Sequence, residues 1–183
     1  MFDTLMKFDK NREVLDFYAT DKRATKELLI RENFRETIYE PACGQGHIVK
    51  VLEEHGYKVK AEDICYRGYG SKREVDFFTV KENTLDIVTN PPYFCADKFL
   101  KHALEISVPK VKIAMLFGLA FLEGQKRYEL FKKYPIKKVY VFSKRLNCAK
   151  NAEFEKYKSN AIAFAWFVWE VGYIGNTQLE WIL

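Results

Sequence analysis

Short apolar runs of strand length alternate with segments of helical spacing along most of this chain. The pattern predicts strands over 36–40, 57–64, 84–90, 111–117 and 136–142, and helices over 47–56, 96–107 and 123–134. This alternation favours an α/β fold, in which a mostly parallel central sheet carries helices on both faces. A late antiparallel strand suits the aromatic run at 161–169.

The chain is long enough to bury one hydrophobic core. It has 183 residues, 48% of them hydrophobic, so we expect a single domain spanning 1–183. The net charge of +5, from 30 basic and 25 acidic residues, permits a polyanionic partner without requiring one. No leader-like segment opens the chain and no apolar run approaches the roughly 20 residues of a spanning helix, so we expect a cytoplasmic protein with no membrane partner.

Metal and disulfide chemistry have little support in the sequence. The cysteines are Cys43, Cys65, Cys95 and Cys148, and they contain no C-x-x-C pair. This spacing argues against a zinc site and against a disulfide framework. The three histidines also lack a metal-binding spacing, so we predict no metal.

The first chemical signal is the stretch YEPACGQGH, residues 39–47, between a predicted strand and a predicted helix. Gly44 and Gly46 let the backbone turn sharply and approach a ligand closely, although a tight strand-to-helix turn has the same pattern. The spacing is not that of the glycine-rich phosphate loops. Glu40 at the strand end would repel a diphosphate and suit a cation.

An acidic residue also follows the second predicted strand. Asp63, or its neighbour Glu62, stands where nucleotide-binding α/β proteins hold ribose hydroxyls. A surface carboxylate is the alternative reading of either residue.

The second chemical signal is NPPY, residues 90–93, directly after a predicted buried strand. Pro91 and Pro92 fix the backbone, so the Asn90 amide oxygen and the Pro91 carbonyl can form a rigid pair of acceptors. Both could accept hydrogen bonds from one planar NH₂ group and draw its lone pair out of conjugation. Tyr93 offers an aromatic face for the ring that carries this amine. A proline-braced turn is the alternative.

These motifs resemble those of Rossmann-like S-adenosylmethionine-dependent methyltransferases that act on exocyclic or amide nitrogens, chiefly adenine N6. Over nearly the whole chain, the sequence resembles the small DNA adenine methyltransferase-like proteins of phages and prophages. The matching segments are FYATDKRATKELL (17–29), EPACGQGH (40–47), AEDICYRGYG (61–70), VDFFTV (75–80), NPPYFCADKFLKHALE (90–105), FLEGQKRYELF (121–131) and AWFVWEVGYIG (165–175).

The resemblance implies S-adenosylmethionine as the cofactor and adenine, most simply in DNA, as the acceptor. It implies that the strands ending at Glu40 and Asn90 are neighbours, so that both loops face one crevice. It also implies that Thr20 helps hold the amino-acid end of the cofactor, that Asp76 binds the amine of the cofactor's own adenine, and that Phe77 packs beside that ring. The candidate cofactor residues are Thr20, Glu40, Ala42, Gly44, Gly46, Asp63, Asp76, Phe77 and Asn90; the candidate catalytic residues are Asn90, Pro91, Pro92 and Tyr93.

Nucleic-acid recognition has one candidate segment. Restriction-type enzymes with this motif order carry a separate target-recognition domain, and we expect none here. The polar stretch 144–160 holds five basic and two acidic residues, and Lys144, Arg145 and Lys150 are the candidate phosphate contacts. An ordinary solvated loop is the alternative. A base inside a duplex would have to be flipped out to reach such a pocket.

Two other functions remain open on the sequence. The acceptor could instead be RNA adenine or a protein glutamine, since release-factor glutamine methyltransferases also resemble N-P-P-Y proteins. Those enzymes usually carry an N-terminal substrate domain, for which about 35 residues before the first strand are too few. A catalytically silent module that binds DNA or protein is the alternative from a different class.

Overall fold

A seven-stranded sheet forms the centre of the structure. The computed structural model describes residues 18–150 and 162–183, with 149 and 150 described for the backbone alone. The strands of the sheet are β2 Thr37–Glu40, β3 Lys58–Ala61, β4 Asp86–Thr89, β5 Lys112–Gly118, β6 Lys138–Phe142, β8 Phe164–Glu170 and β9 Gln178–Ile182. A separate two-stranded sheet joins β1 Tyr18–Ala19 to β7 Ala149–Lys150.

The central sheet has the order β3-β2-β4-β5-β8-β6-β9 and is mostly parallel. Only β8 among its strands runs against its neighbours, pairing antiparallel with both β5 and β6. The predicted mostly parallel sheet with a late antiparallel strand is therefore confirmed. Residue 161 of that prediction lies outside the described residues.

In the described part of the chain, four α-helices cover the sheet: α1 Lys22–Arg31, α2 His47–Glu54, α3 Ala96–Ile106 and α4 Gln125–Lys133. Buried side chains of α1 and α2 pack on one face, where Leu28 and Leu52 belong to a common cluster. On the other face, Phe99 and Leu104 of α3 pack against strand residues in a second cluster. The prediction of helices on both faces is confirmed, because each face of the sheet is apolar and must be covered.

Element boundaries differ from the sequence prediction where loops make their own backbone bonds. The strand predicted over 57–64 ends at Ala61, because Glu62 and Asp63 turn to bond the neighbouring glycine loop. The sequence pattern also missed β9. Its side chains are mostly exposed, so it carries no buried apolar run.

The amino ends of the central strands are held by buried carboxylates whose oxygens are paired. Asp86, the first residue of β4, accepts the backbone N–H of Arg35 and of Lys112, each at 2.8 Å. Glu32, just after α1, accepts from Lys112 Nζ at 2.6 Å, from Lys138 Nζ at 3.0 Å and from the Tyr140 hydroxyl at 2.8 Å. These bonds tie α1, β4, β5 and β6 together at one end of the sheet.

Among the described residues, none of the helices combines the length and apolar character needed to cross a bilayer.

Candidate functional site

The two motifs meet at the carboxyl end of the sheet. β2, which ends at Glu40, pairs in parallel with β4, which ends one residue before Asn90. The chain leaves β2 towards β3 on one side and returns through β4 on the other, so the loops that follow β2 and β4 flank the switch point at which open α/β sheets have their ligand crevice. Ligands of open α/β sheets bind at this kind of switch point.

The glycine loop is hydrogen-bonded to Asp63. Gly44 has a positive φ of 53°, and its N–H donates to Asp63 Oδ2 at 2.8 Å. Asp63 Oδ1 accepts from the Cys65 N–H at 3.0 Å. The carboxylate therefore braces two loops, and the predicted ribose contact of Asp63 stays a prediction. Its alternative, Glu62, accepts from the Tyr39 hydroxyl at 2.8 Å and lies 3.2 Å from Lys60 Nζ.

Tyr69 is a part of this site that the sequence analysis missed. A Cβ on Gly46, whose φ is 75°, would lie 2.4 Å from the Tyr69 ring. The Tyr69 hydroxyl donates to Glu53 Oε2 at 2.7 Å, which fixes the ring over the start of α2. Gly46 thus makes room for Tyr69, and its predicted cofactor contact stays a prediction. The signal for this packing is the Y-R-G-Y-G stretch at 66–70, whose two glycines have positive φ.

Glu40 is buried at the end of β2 with one oxygen unpaired. The residue is 2% exposed, and among the described residues Oε2 has no hydrogen-bond partner. Burial, and then the neighbouring Asp63 carboxylate, raise the pKa of Glu40 well above its ordinary value. A buried carboxyl of this kind costs the fold free energy unless a ligand supplies its partner. A cationic group is the partner that this carboxyl would favour most.

The other predicted cofactor residues lie on the loops around this crevice. Asp76 caps a 3₁₀ turn at Phe77–Thr79, and its Oδ1 accepts from the Phe78 N–H at 2.9 Å. Phe77 is buried in the core, edge-on to Tyr39 with ring centroids 5.9 Å apart. Ala42 is half-buried and packs on the same core cluster. Their contacts with a cofactor stay predictions.

The Asn90 amide is held from one side only. Its Nδ2 donates to the Tyr18 carbonyl at 3.3 Å and to Thr20 Oγ1 at 3.1 Å. Its Oδ1 is buried and has no partner among the described residues. Because a carbonyl oxygen can only accept, the NH₂ group must face Tyr18, and Oδ1 must face the other way. The amide therefore presents an unused acceptor.

The residues after Asn90 form a rigid turn. Pro91 is buried, and Pro92 precedes a 3₁₀ turn at Tyr93–Cys95 in which the Cys95 N–H donates to the Pro92 carbonyl at 3.2 Å. The half-buried Tyr93 ring lies between Phe117 and Phe164, with both centroids at 6.4 Å. The turn thus fixes the ring of Tyr93 as well as the backbone of Asn90.

The candidate phosphate contacts begin near the same crevice. The side chains of Lys144 and Arg145 are exposed, while their carbonyls accept from Arg23 Nη2 at 3.4 and 2.6 Å. The side chain of Lys150 and all of 151–160 lie outside the described residues. Arg23 therefore anchors the start of the predicted basic segment to the beginning of α1.

Metal ligands are not clustered in the described part of the chain. Within residues 18–150 and 162–183, no group of three or more His, Cys, Asp or Glu side chains could hold a metal ion. His102 Nε2 instead lies 2.9 Å from the Phe77 carbonyl, and His55 Nδ1 lies 2.7 Å from the Val51 carbonyl.

Comparison with known proteins gives the fold. No protein-family model and no curated protein matches the sequence. A Pyrococcus horikoshii protein assigned as an RNA methyltransferase is similar in structure, with a TM-score of 0.64, 17% identity and coverage of 91% of this chain and 92% of that one. A Listeria monocytogenes protein assigned as a class I S-adenosylmethionine-dependent methyltransferase has a TM-score of 0.62 at 10% identity, covering 94% of this chain and 68% of that one.

A third solved structure comes from Vibrio vulnificus and is assigned as the modification subunit of a type I restriction enzyme. Its TM-score is 0.59 at 13% identity, and the match covers 92% of this chain but 46% of that chain. At these identities the shared property is the architecture. The chain has the Rossmann-like fold of S-adenosylmethionine-dependent methyltransferases.

Proposed function

We propose that this chain is an S-adenosylmethionine-dependent methyltransferase that modifies the exocyclic amine of adenine, with DNA as the substrate. The observation that carries the proposal is the buried Oδ1 of Asn90, which has no partner among residues 18–150 and 162–183 and lies at the switch point of the fold. An acceptor fixed in this position suits a substrate that brings an N–H group. The exocyclic amine of adenine is such a group.

The residues at the glycine loop fit the cofactor. S-adenosylmethionine supplies a methyl group activated on a sulfonium and carries a further cationic ammonium. Glu40, with its unpaired Oε2, would hold the cationic part of the molecule, and the backbone at Gly44 would allow close approach. Ala42, Gly46, Asp63, Asp76 and Phe77 complete the proposed cofactor contacts on the surrounding loops.

Asn90 and the two prolines would act on the amine by positioning it. Asn90 Oδ1 would accept one N–H of the planar NH₂ group, and the Pro91 carbonyl would accept the other. This arrangement would localise the nitrogen lone pair and aim it at the activated methyl group, without an ionised base. The N–C bond would form as the C–S bond breaks to leave a neutral thioether, and the methylated nitrogen would then lose one proton to solvent. The Tyr93 ring, held by Phe117 and Phe164, would stack on the flipped base.

Two structural similarities support a nucleic-acid acceptor. The Pyrococcus neighbour is assigned to RNA methylation and the Vibrio neighbour to a restriction enzyme. The N-P-P-Y resemblance favours adenine in DNA over RNA. Exposed Lys144 and Arg145 beside the crevice would contribute phosphate contacts, with Lys150 as a further proposed contact.

Transfer of a tritiated methyl group tests the proposal. The protein is incubated with labelled cofactor and, separately, with adenine-containing DNA, the matching RNA, or a protein extract. A DNA in which inosine replaces adenine is the control. Label in adenine DNA and none in the inosine control is the expected result. Label that enters only RNA or protein, or no label at all from a protein that binds the cofactor, would overturn the proposed acceptor.

A further inference from the structure

The short strand β1 contacts the side chain that the proposed chemistry depends on. Asn90 Nδ2 donates to the carbonyl of Tyr18 in β1 and to Oγ1 of Thr20, the residue that follows this strand. Thr20 is 3% exposed, so its hydroxyl makes this bond away from bulk water. The segment lies about 70 residues from Asn90 in sequence and outside the central sheet.

We infer that Thr20 is a positioning residue, which fixes the Asn90 amide with its Oδ1 towards the substrate. If the amide turned over, Oδ1 would face the Tyr18 carbonyl, and two acceptors would oppose each other. The Tyr18 carbonyl, which can only accept, therefore sets the orientation of the amide, and the Thr20 hydroxyl adds a second bond that holds the NH₂ group in place. This inference rests on the proposed function and deepens it.

β1 is itself anchored, which makes it a firm support for this bond. Tyr18 pairs with Lys150 and Ala19 with Ala149 in an antiparallel ladder. Asp21, next to Thr20, caps α1 through the Arg23 N–H at 2.9 Å and accepts the Asn147 N–H at 3.2 Å. The support therefore joins the start of α1, residues 145–150 and the catalytic turn in one hydrogen-bonded unit.

A positioning role differs measurably from a role in cofactor binding. The sequence resemblance gives Thr20 a contact with the amino-acid end of the cofactor. If that contact were its whole role, its loss would weaken cofactor affinity and leave the rate at saturating cofactor unchanged. A positioning residue does the reverse, because the misplaced amide slows the chemical step while the cofactor still binds.

The test uses Thr20→Val, which keeps the shape and removes the hydroxyl. Thr25→Val is the matched control, because Thr25 is equally buried and its hydroxyl has no partner among the described residues. At saturating cofactor, Thr20→Val should lower the single-turnover rate about tenfold, and Thr20→Ser should restore most of it. Thr25→Val should match the wild type. An unchanged rate in Thr20→Val, or a change in cofactor affinity alone, would overturn the inference.

A double mutant and a spectroscopic readout complete the test. In an Asn90→Ala background, Thr20→Val should have no further effect on the rate, because the side chain it positions is gone. An additive loss would contradict the inference. The Asn90 side-chain NH₂ resonances, assigned by their loss in Asn90→Ala, should shift and exchange faster in Thr20→Val but not in Thr25→Val. This readout needs no turnover, so unchanged resonances overturn the positioning role even if the proposed activity itself fails.

Discussion

Glu32 near the amino ends of the strands and Glu40 at the carboxyl end of β2 are both buried, at 4% and 2% exposure. Burial would raise the pKa of Glu32, but hydrogen bonds from Lys112, Lys138 and Tyr140 lower it below the ordinary value. Glu40 Oε2 has no such donor within the described part of the chain, and burial together with Asp63 raises the pKa of Glu40. A buried glutamate is thus fully hydrogen-bonded at one end of the sheet. At the other end, a buried glutamate keeps one oxygen without a partner among the described residues.

β4 repeats this difference along one strand. Asp86 at its first position has both oxygens bonded to backbone N–H groups. Asn90, just past its last position, has a buried Oδ1 for which the described residues provide no partner. A buried polar group without a partner costs about 1–3 kcal/mol. A ligand bound at the carboxyl end of β4 would supply the bond that Asn90 Oδ1 lacks among the described residues.

The largest expected effect comes from the two ends of β4. Asn90→Ala should lower single-turnover methyl transfer by about a hundredfold or more, the scale of losing one preorganised hydrogen-bonding group. Its cofactor affinity and melting temperature should stay close to wild type. Asp86→Ala should do the opposite and lower the melting temperature, because the Arg35 and Lys112 N–H groups lose their acceptor. Wild-type turnover in Asn90→Ala would rule out the assigned role.

The next largest effect is expected on the free energy of unfolding when the same substitution is made at Glu32 and at Glu40. Glu32→Gln should lower the free energy of unfolding by about 2 kcal/mol, because two lysine ammonium groups lose their counter-charge. Glu40→Gln should leave it unchanged or raise it, because no charge then needs burial. Denaturant unfolding of both variants at pH 8 measures the difference. Equal losses in the two variants would show that Glu40 has a structural partner.

The opposite pKa shifts of Glu32 and Glu40 predict how the stability of the fold depends on pH. The pKa of Glu32 is lowered in the fold, so its contribution is present above the unfolded pKa and is lost as the pH falls through the folded value. The pKa of Glu40 is raised, so the ligand-free fold loses stability as the pH rises from the unfolded towards the folded value. The melting temperature of Glu40→Gln, relative to that of the wild type, should therefore increase as the pH rises from 5 to 9. A constant difference would contradict the raised pKa.

Tyr93 is expected to have an intermediate effect on substrate engagement. Tyr93→Ala should weaken binding of the target base about tenfold, within the range of about 1–3 kcal/mol for one base–aromatic stack. Tyr93→Phe should keep much of the activity, because the ring survives. The measurement is the nucleic-acid concentration that gives half-maximal single-turnover rate. Equal losses in both variants would assign the effect to the hydroxyl instead of the ring.

The smallest effect is expected at the exposed basic pair. Lys144→Ala combined with Arg145→Ala should weaken nucleic-acid binding several-fold at low salt. The slope of log affinity against log salt should fall by up to about 2, since each phosphate contact contributes about 0.9 for duplex DNA. The control for net charge is Lys101→Ala combined with Lys132→Ala. These residues lie on α3 and α4, on the face of the sheet opposite to α1 and α2. An unchanged slope in the first variant would remove these residues from the interface.

Local patterns in the sequence predicted the fold well and pointed to candidate site residues. The apolar runs that became β4, β5 and β8 are buried along their length, so periodicity and turn chemistry identified them. The N-P-P-Y turn and the glycine loop were visible because proline and glycine have strong backbone preferences.

The parts that the sequence did not predict depend on contacts distant along the chain. β1 is two residues long and has no period to detect, yet its Tyr18 carbonyl bonds Asn90 at a separation of 72 residues. The packing of Tyr69 over Gly46 and the unpaired oxygen of Glu40 likewise require the folded geometry. The sequence patterns identified the acidic and amide side chains, whereas the structure shows which of their atoms already make hydrogen bonds.

Calorimetric titration of S-adenosylmethionine tests most directly whether the incomplete end of the sheet is a ligand site. The wild type and Asn90→Ala should both give a saturable one-site isotherm with an affinity on the order of micromolar. Glu40→Gln should bind about tenfold more weakly or lose binding, because its side chain no longer offers a charge to the cationic cofactor. Absence of saturable heat from wild-type protein that melts cooperatively, or wild-type affinity in Glu40→Gln, would contradict the account.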